Sequence, residues 1–313
     1  MQLLYALAEL RTPFLDALLG ALTNCGGELV FMAAAIIVFW CVSKSCGYYM
    51  LTVGFVGTIV NQFLKLVFRI PRPWVKDPDF QIVESARAEA TGYSFPSGHT
   101  QNVFASFGCL GRWTKRTWLR VVCALLIVVT AFSRMYLGVH TPLDVGVSFG
   151  IGLVLVFALY PLFRDIDSHP KRLYLLFGAM AVLGAAYLLF AELWPFPADV
   201  DAANLASGRK NAYTLLGAVL GMTFAYWLDC RYVHFDVRAV WWAQVLKAVL
   251  GLGITIGLRA ALKAPLLALC GGHNVANLIR YALMVIFAAG IWPMTFGWFG
   301  RLGRKKPASG ASD

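Results

Sequence analysis

What most constrains this chain is a succession of apolar stretches, each about as long as the hydrocarbon core of a bilayer is thick. A membrane-crossing helix needs roughly 17 to 25 mainly apolar residues. Such stretches fall at about 27–43, 47–67, 98–112, 118–133, 143–163, 172–193, 211–228, 240–258 and 281–299. Within lipid each backbone polar group must find a partner inside the protein, which restricts spanning elements to helices and closed barrels. Long apolar runs without alternation predict helices. The expected fold is all-α: a polytopic membrane helical bundle of about nine transmembrane helices. The third stretch is short and opens with polar residues, so it is expected to begin below the membrane surface. Residues 1–22 are amphipathic and interrupted by Glu9, Arg11, Pro13 and Asp16, and read as an interfacial helix rather than a span. The chain divides into a motif-bearing core over 1–193, additional spans over 194–300 and a basic tail over 301–313.

Charge agrees with this assignment. Only 14% of the 313 residues are charged, against about 25% in an average soluble domain. That excludes a disordered chain, a nucleic-acid-binding protein and an ordinary soluble enzyme. The net charge is +11. In a membrane protein such an excess reports basic cytoplasmic loops. Nine spans put the termini on opposite sides. One side then holds dense clusters in short loops, such as Arg112, Lys115, Arg116 and Arg120, and Arg301, Arg304, Lys305 and Lys306. The other offsets its basic residues with Asp77, Asp79, Glu84, Glu89, Asp199 and Asp201. The positive-inside rule makes the first side cytoplasmic, with the N-terminus outside and the C-terminus inside. No basic n-region precedes a clean apolar run at the N-terminus, so no cleaved signal peptide is expected. The seven cysteines include no CxxC pair and read as small apolar packing residues, not as metal ligands.

Three segments place polar side chains at the mouths of apolar helices, all on the predicted outer side. The first carries Lys65, Arg69, Arg72 and Pro73; the second Pro96, Ser97, Gly98 and His99; the third Ser133, Arg134, His140 and Asp144. Ionisable groups at such positions are costly, and mark function by default. Lys65, Arg72 and Arg134 are three cations suited to phosphate, Arg as a bidentate fork and Lys as a point charge. Ser97 supplies a hydroxyl donor, and Gly98 opens a helix start to close approach by an anion. His99 and His140 add a nucleophile and a proton donor, which phosphate-ester cleavage requires. His140 and Asp144 are four residues apart, and an Asp partner fixes an imidazole tautomer. Each segment alone has a bland reading. Thr141 and Asp144 form a capping box, Pro96 to His99 an ordinary turn and helix start, and Lys65 and Arg69 snorkelling side chains. The conjunction of all three on one face defeats those readings.

These segments resemble the three signature motifs of the type 2 phosphatidic acid phosphatase superfamily: K-x6-R-P at Lys65, Arg72 and Pro73, P-S-G-H at Pro96 to His99, and S-R-x5-H-x3-D at Ser133, Arg134, His140 and Asp144. The resemblance covers roughly residues 28–163. It implies a core like that of the phosphatidic acid phosphatases and haloperoxidases. It also implies roles. His140 attacks phosphorus and becomes a phosphohistidine, Asp144 orients it, and His99 protonates the leaving oxygen and then activates water. Lys65, Arg72, Ser97, the Gly98 amide and Arg134 hold the phosphate oxygens. It implies no metal and no cofactor. The expected substrate is a lipid phosphate or diphosphate of the undecaprenyl diphosphate, phosphatidic acid or sphingoid phosphate class. Membrane lipids are the surroundings, nucleic acid is not a partner, and the oligomeric state is open. Nine spans with an outer N-terminus is also the layout of the glucose-6-phosphatase branch. A soluble sugar phosphate as substrate, transfer to a second lipid in place of water, and a non-catalytic transporter or lipid-binding protein therefore stand as alternatives. The absence of an Asn-x-Ser/Thr site favours a bacterial plasma membrane. In the second half, His234 and His273 read as interfacial polar residues, and Trp241 and Trp242 as an aromatic belt. The glycines over 146–152 and 217–221 read as sites of close helix packing.

Overall fold

A computed structural model describes residues 1–164, 166 and 170–302. Among the described residues every regular element is helical. Six helices are long and apolar enough to cross a membrane: Lys44–Lys76, Thr117–Tyr136, Pro142–Arg164, Lys171–Leu193, Trp241–Leu269 and Val275–Phe299. A seventh arises if Pro13–Gly26 and Glu28–Cys41, bent by 49°, count as one span. The expected count of nine is not reached on this measure, because the stretches at 98–112 and 211–228 fall short. The first is a rod of α6 (Gly98–Val103), a π-helical turn (Phe104–Gly108) and α7 (Cys109–Trp113). It opens on His99, Thr100, Gln101 and Asn102. The second belongs to α11 (Ala202–Leu228), which is long enough but diluted by Asn211, Tyr213, Thr214 and Thr223. The basic tail beyond residue 302 lies outside the described residues.

The N-terminal stretch is two helices rather than one, α1 (Gln2–Glu9) and α2 (Pro13–Thr23). Thr12 caps α2 by accepting from the Leu15 amide at 3.3 Å, and Pro13 occupies the first turn, where its missing N–H costs nothing. The polar residues that interrupt the stretch are used. Arg11 donates to the carbonyls of Tyr136 and Gln81, and Asp16 accepts from the Tyr136 hydroxyl.

Three helices frame the core: α3 (Glu28–Cys41), α4 (Lys44–Phe68) and α9 (Pro142–Arg164). The rod α6–α7 packs between them and α8 (Thr117–Tyr136). Helix α8 shows how lipid inverts the usual pattern. Trp118, Val121, Leu125, Val128 and Phe132 form an exposed stripe at helical spacing, while Cys123, Ile127, Thr130 and Arg134 are buried. The polar face turns inward because only the protein interior offers it partners. Helix α4 ends at Arg69, whose φ of 50° is left-handed, a C-cap conformation that turns the chain out of the helix. Arg72 is thereby brought back over the end of α4.

The C-terminal part packs onto this core as α10 (Pro170–Leu193), α11, α12 (Trp241–Ala261), α13 (Lys263–Leu269), α14 (Val275–Ile286) and α15 (Phe296–Phe299). Gly217 and Gly221 do permit close packing: a Cβ on Gly217 would strike the Leu278 carbonyl, and one on Gly221 would lie 2.6 Å from that of Ala282. Of the glycines over 146–152, Gly152 sits against Phe104, whereas Gly146 and Gly150 have open space beside them. Several polar links tie the two halves together. Trp40 Nε1 donates to the Ala288 carbonyl at 2.8 Å, Gln244 donates to that of Cys41 at 3.3 Å, and Lys44 pairs with buried Asp229 at 2.6 Å. Trp292 is packed against Trp40 and Phe299 rather than facing lipid.

Candidate active site

The three motif segments converge at one end of the bundle. His140 is buried in the turn between α8 and α9. Its amide and that of Val139 both donate to the Arg134 carbonyl, at 3.2 and 3.1 Å, which folds the turn back on the end of α8. The imidazole is gripped from two sides. Arg72 Nη1 lies 2.9 Å from Nε2, and Asp144 Oδ2 lies 3.5 Å from Nδ1. Guanidinium nitrogens only donate, so Nε2 is the acceptor and the ring proton sits on Nδ1, facing the carboxylate. Burial, and after it the charges of Arg72, Arg134 and Lys65, hold the His140 pKa well below its ordinary value. The result is a neutral imidazole whose lone pair points at the cations. The contact to Asp144 is longer than a formed hydrogen bond, as catalytic contacts often are before substrate binds.

Asp144 makes two sets of contacts at once. Its Oδ2 accepts from the Thr141 amide at 2.7 Å while its own amide donates to Thr141 Oγ1 at 3.4 Å, the reciprocal capping box. The same oxygen accepts from Ser94 Oγ at 2.6 Å. Asp144→Asn keeps one acceptor oxygen for the cap but loses the charge that would stabilise an imidazolium. The expected result is a fall in kcat of about 10²- to 10⁴-fold with a stability loss under about 1 kcal/mol. Parallel kinetics and thermal unfolding would check it, and a protein that unfolds early while keeping its kcat would leave Asp144 as a cap alone.

Arg72 is buried, and each of its three nitrogens has a partner. Nη1 also donates to the Val139 carbonyl at 3.0 Å, Nη2 to that of Thr91 at 2.7 Å, and Nε to that of Gly92 at 3.1 Å. Lys65 is buried rather than snorkelling, and its Nζ donates to the Tyr93 carbonyl. Arg69, by contrast, takes no part beyond the helix cap. Arg134 donates to Thr23 Oγ1 at 2.9 Å and keeps Nε and Nη2 unpaired. His99 Nε2 lies 2.9 Å from Glu89 Oε2. Ser97 is the N-cap of α6: its Oγ accepts from the Thr100 amide and hydroxyl at 3.4 and 3.0 Å. A Cβ on Gly98 would touch nothing, so its backbone is open to an approaching group.

A cavity of about 570 Å³ covers this assembly. Lys65, Arg72, Gly98, His99 and His140 line it. Ser97, Arg134 and Asp144 stand behind that wall, in contact with its residues. Sequence reasoning passed over several participants: Glu89 on His99, Ser94 on Asp144, Thr23 on Arg134, and Asn61 and Gln101 in the cavity lining. Asn61 alone carried a signal, one helical turn before Lys65. Ser94 and Thr23 meet the site through contacts 50 and 111 residues apart in sequence. His234 and His273 lie outside the cavity lining. Among the described residues no three His, Cys, Asp or Glu side chains group as a metal site would require.

The family model described as the PAP2 superfamily matches residues 44–167, and the one described as PAP2 superfamily phosphatase, transmembrane extension, matches 213–305. Together they take in more than half of the chain. The chain belongs to the PAP2 superfamily. Its apolar helices and the transmembrane-extension match make it an integral membrane protein. Among similar proteins, an undecaprenyl-diphosphatase of Bacillus subtilis is 33% identical over 125 residues, or 39% of this chain and 61% of that protein. A probable sphingosine-1-phosphate phosphatase of Dictyostelium discoideum is 27% identical over 240 residues, covering 71% of this chain and 56% of that protein. Phosphatidylglycerophosphatase B of Bacillus subtilis is 25% identical over 178 residues, 52% of this chain and 80% of its own length. The chain thus spans less than two thirds of the first two of these relatives. No solved structure matches it.

Proposed function

We propose that this protein hydrolyses a lipid phosphate or diphosphate through a phosphohistidine, without a metal. The observation that carries the reading is the setting of His140: Nε2 against a guanidinium, Nδ1 toward a carboxylate, at the floor of a cavity that His99 also lines. In the first step the Nε2 lone pair attacks phosphorus and the bond from phosphorus to the lipid oxygen breaks. His99 gives that oxygen a proton. In the second step water, deprotonated by His99, attacks the phosphohistidine, the P–N bond breaks and inorganic phosphate leaves. Lys65, Arg72, Arg134, Ser97 and the Gly98 amide offset the charge on the phosphate oxygens, the usual source of most catalytic stabilisation. The similar proteins named above are phosphatases of lipid phosphates or diphosphates by name, which supports the substrate class.

The proposal takes nine crossings: α3, α4, the α6–α7 rod, α8, α9, α10, α11, α12 and α14 with its continuation. The charge distribution then puts the catalytic end outside, the C-terminus in the cytoplasm, and phosphate release on the outer face of a bacterial plasma membrane. A panel of lipid phosphates, lipid diphosphates and glucose 6-phosphate, assayed with the full chain in nanodiscs, tests the substrate class; turnover of the sugar phosphate alone would overturn it. His99→Ala is expected to slow phosphoenzyme formation, read as kcat/KM, by about 10²- to 10⁴-fold for alkyl phosphates and far less for aryl phosphates with good leaving groups. Equal losses on both would contradict the acid role.

A further inference from the structure

Below the phosphate cations the catalytic cavity changes character in an ordered way. Helix α4 presents Lys65, Asn61 and Gly57 on one face, at the four-residue spacing that stacks side chains about one turn apart. Asn61 is 3% exposed and Gln101 1% exposed, both line the cavity, and neither amide has a partner at its oxygen or its nitrogen. Gly57 makes room for Gln101, since a Cβ there would collide with its side-chain amide. A buried polar atom left unpaired costs about 1–3 kcal/mol, so four of them in one band are not packing residues. Both amides line the cavity, so their donors and acceptors are open to a polar group inside it.

Deeper still, a second cavity of about 330 Å³ adjoins the first, and Glu28, Leu29, Met32, Phe55 and Leu215 line both. Its walls are mainly apolar, with Glu28, Thr214, Thr255 and Arg259 as the polar residues of the lining. The inner wall comes from α3 and α4, with Met32 and Leu51; the outer wall comes from the C-terminal helices, with Ala218, Ile256 and Met284. Leu51 lies about 14 residues below Lys65 on α4, or about 21 Å, more than half of a hydrocarbon core of about 30 Å. From the membrane surface inward, the order is cations, then amides, then hydrocarbon. A phosphorylated lipid with a polar linkage has the same order of groups.

We propose that Asn61 and Gln101 form a specificity subsite for the polar atoms linking phosphate to chain, and that the chain itself runs into the apolar cavity walled by the C-terminal helices. This rests on the lipid phosphatase reading above and sharpens it. The favoured substrate is a lipid phosphate with an amine, hydroxyl or ester oxygen beside the phosphate, of the sphingoid or glycerolipid kind. A prenyl or alkyl phosphate, whose apolar chain begins at once, leaves both amides unmatched, and sites built to hydrogen-bond discriminate strongly against such analogues.

The test uses the full chain in nanodiscs with four probes: a sphingoid phosphate, a phosphatidate, an alkyl phosphate of equal chain length, and butyl phosphate. The wild type is expected to favour one of the two polar-linked lipids over the long alkyl phosphate at least tenfold in kcat/KM. Asn61→Leu and Gln101→Leu are each expected to shrink that preference at least fivefold; a loss on the sphingoid arm assigns an amine or hydroxyl, and one on the phosphatidate arm an ester oxygen. Met284→Trp, which fills the apolar cavity, is expected to lower the ratio of long alkyl to butyl phosphate at least tenfold. Ratios unmoved in all three variants overturn the inference. A measurement without substitutions guards against misfolding: a lipid phosphate with a terminal diazirine should label wall residues of that cavity, such as Met32, Leu51, Ala218, Ile256 or Met284, and be displaced by unlabelled substrate. Labelling only elsewhere, or equal labelling by a neutral lipid of the same chain, also overturns it. A wild type that turns over butyl phosphate but no lipid phosphate defeats the proposed function itself, whereas lipid turnover with unmoved ratios defeats this inference alone.

Discussion

Replacing His140 by alanine is expected to drop phosphate release by on the order of 10⁴-fold or more, because the nucleophile has no substitute in the cavity. His99 is the other imidazole there, and it is paired with Glu89. Glu89 and the Asp144 carboxylate are poor nucleophiles toward an anionic ester. The fold should survive, since the His140 side chain accepts one hydrogen bond from a guanidinium that keeps three carbonyl partners. The cavity left behind costs on the order of 2 kcal/mol. Rapid quenching of the wild type with radiolabelled substrate should trap a phosphoenzyme that is labile in acid, as a phosphoramidate is, and the variant should show none. Unchanged turnover by His140→Ala, or a phosphoenzyme that persists in it, would sink the covalent mechanism. His99→Ala adds a second check: with an aryl phosphate, phosphoenzyme should accumulate, because formation is spared and hydrolysis is slowed.

How much of this was visible in the sequence follows from the range of the interactions. The motif residues were legible because their spacing is set locally. Thr141, Pro142 and Asp144 start α9 by rules that act within one turn, and His140 falls beside them. Arg72 was legible as a cation but its grip was not, since its partners Thr91, Gly92, Val139 and His140 come from two distant loops. The same holds for Ser94 on Asp144 and Thr23 on Arg134, contacts across 50 and 111 residues. The helical class followed from the apolar runs. The number of helices that stand out as spans did not, because hydropathy reads lipid exposure and α11 is shielded. Twelve of its residues, from Gly208 to Tyr226, are buried, so it can carry Asn211 and Thr214 that a lipid-facing helix would avoid. The amide band of Asn61 and Gln101 was hidden for a related reason: the spacing of Asn61 from Lys65 puts the two on one face of α4, but that Gln101 meets it in the same cavity shows only when the helices are packed.

Arg72→Lys separates charge from geometry, and its expected effect is nearly as large as that of losing the nucleophile. Lysine keeps the positive charge, so if Arg72 acted only as a counter-ion to phosphate the variant would stay active. The guanidinium does more. It spans the carbonyls of Thr91, Gly92 and Val139 at once, tying the loop after α5 (Pro73–Lys76) to the turn that carries His140. A single ammonium cannot reach all three, and it lacks the planar fork. The Val139 carbonyl is buried, and left unpaired it costs about 1–3 kcal/mol, whereas those of Thr91 and Gly92 can turn to water, so a loss of roughly 1–3 kcal/mol in stability is expected. With the turn loosened, Nε2 also loses the donor that fixes its ring in place. A misplacement of about 1 Å at a reacting atom costs about 10²-fold, and a missing charge-stabilising donor about 10²- to 10³-fold. Lysine keeps a charge and a donor, so the two losses overlap rather than multiply, and the expected fall in kcat/KM is on the order of 10³-fold, carried mainly by kcat, with a lowered thermal midpoint. Arg134→Lys provides the control, since Arg134 has one side-chain partner in Thr23 and should lose activity with a smaller shift in the midpoint. Full activity and an unchanged midpoint in Arg72→Lys would mean that the guanidinium neither positions His140 nor binds the transferring phosphoryl group, and the site as described would have to be redrawn around Lys65.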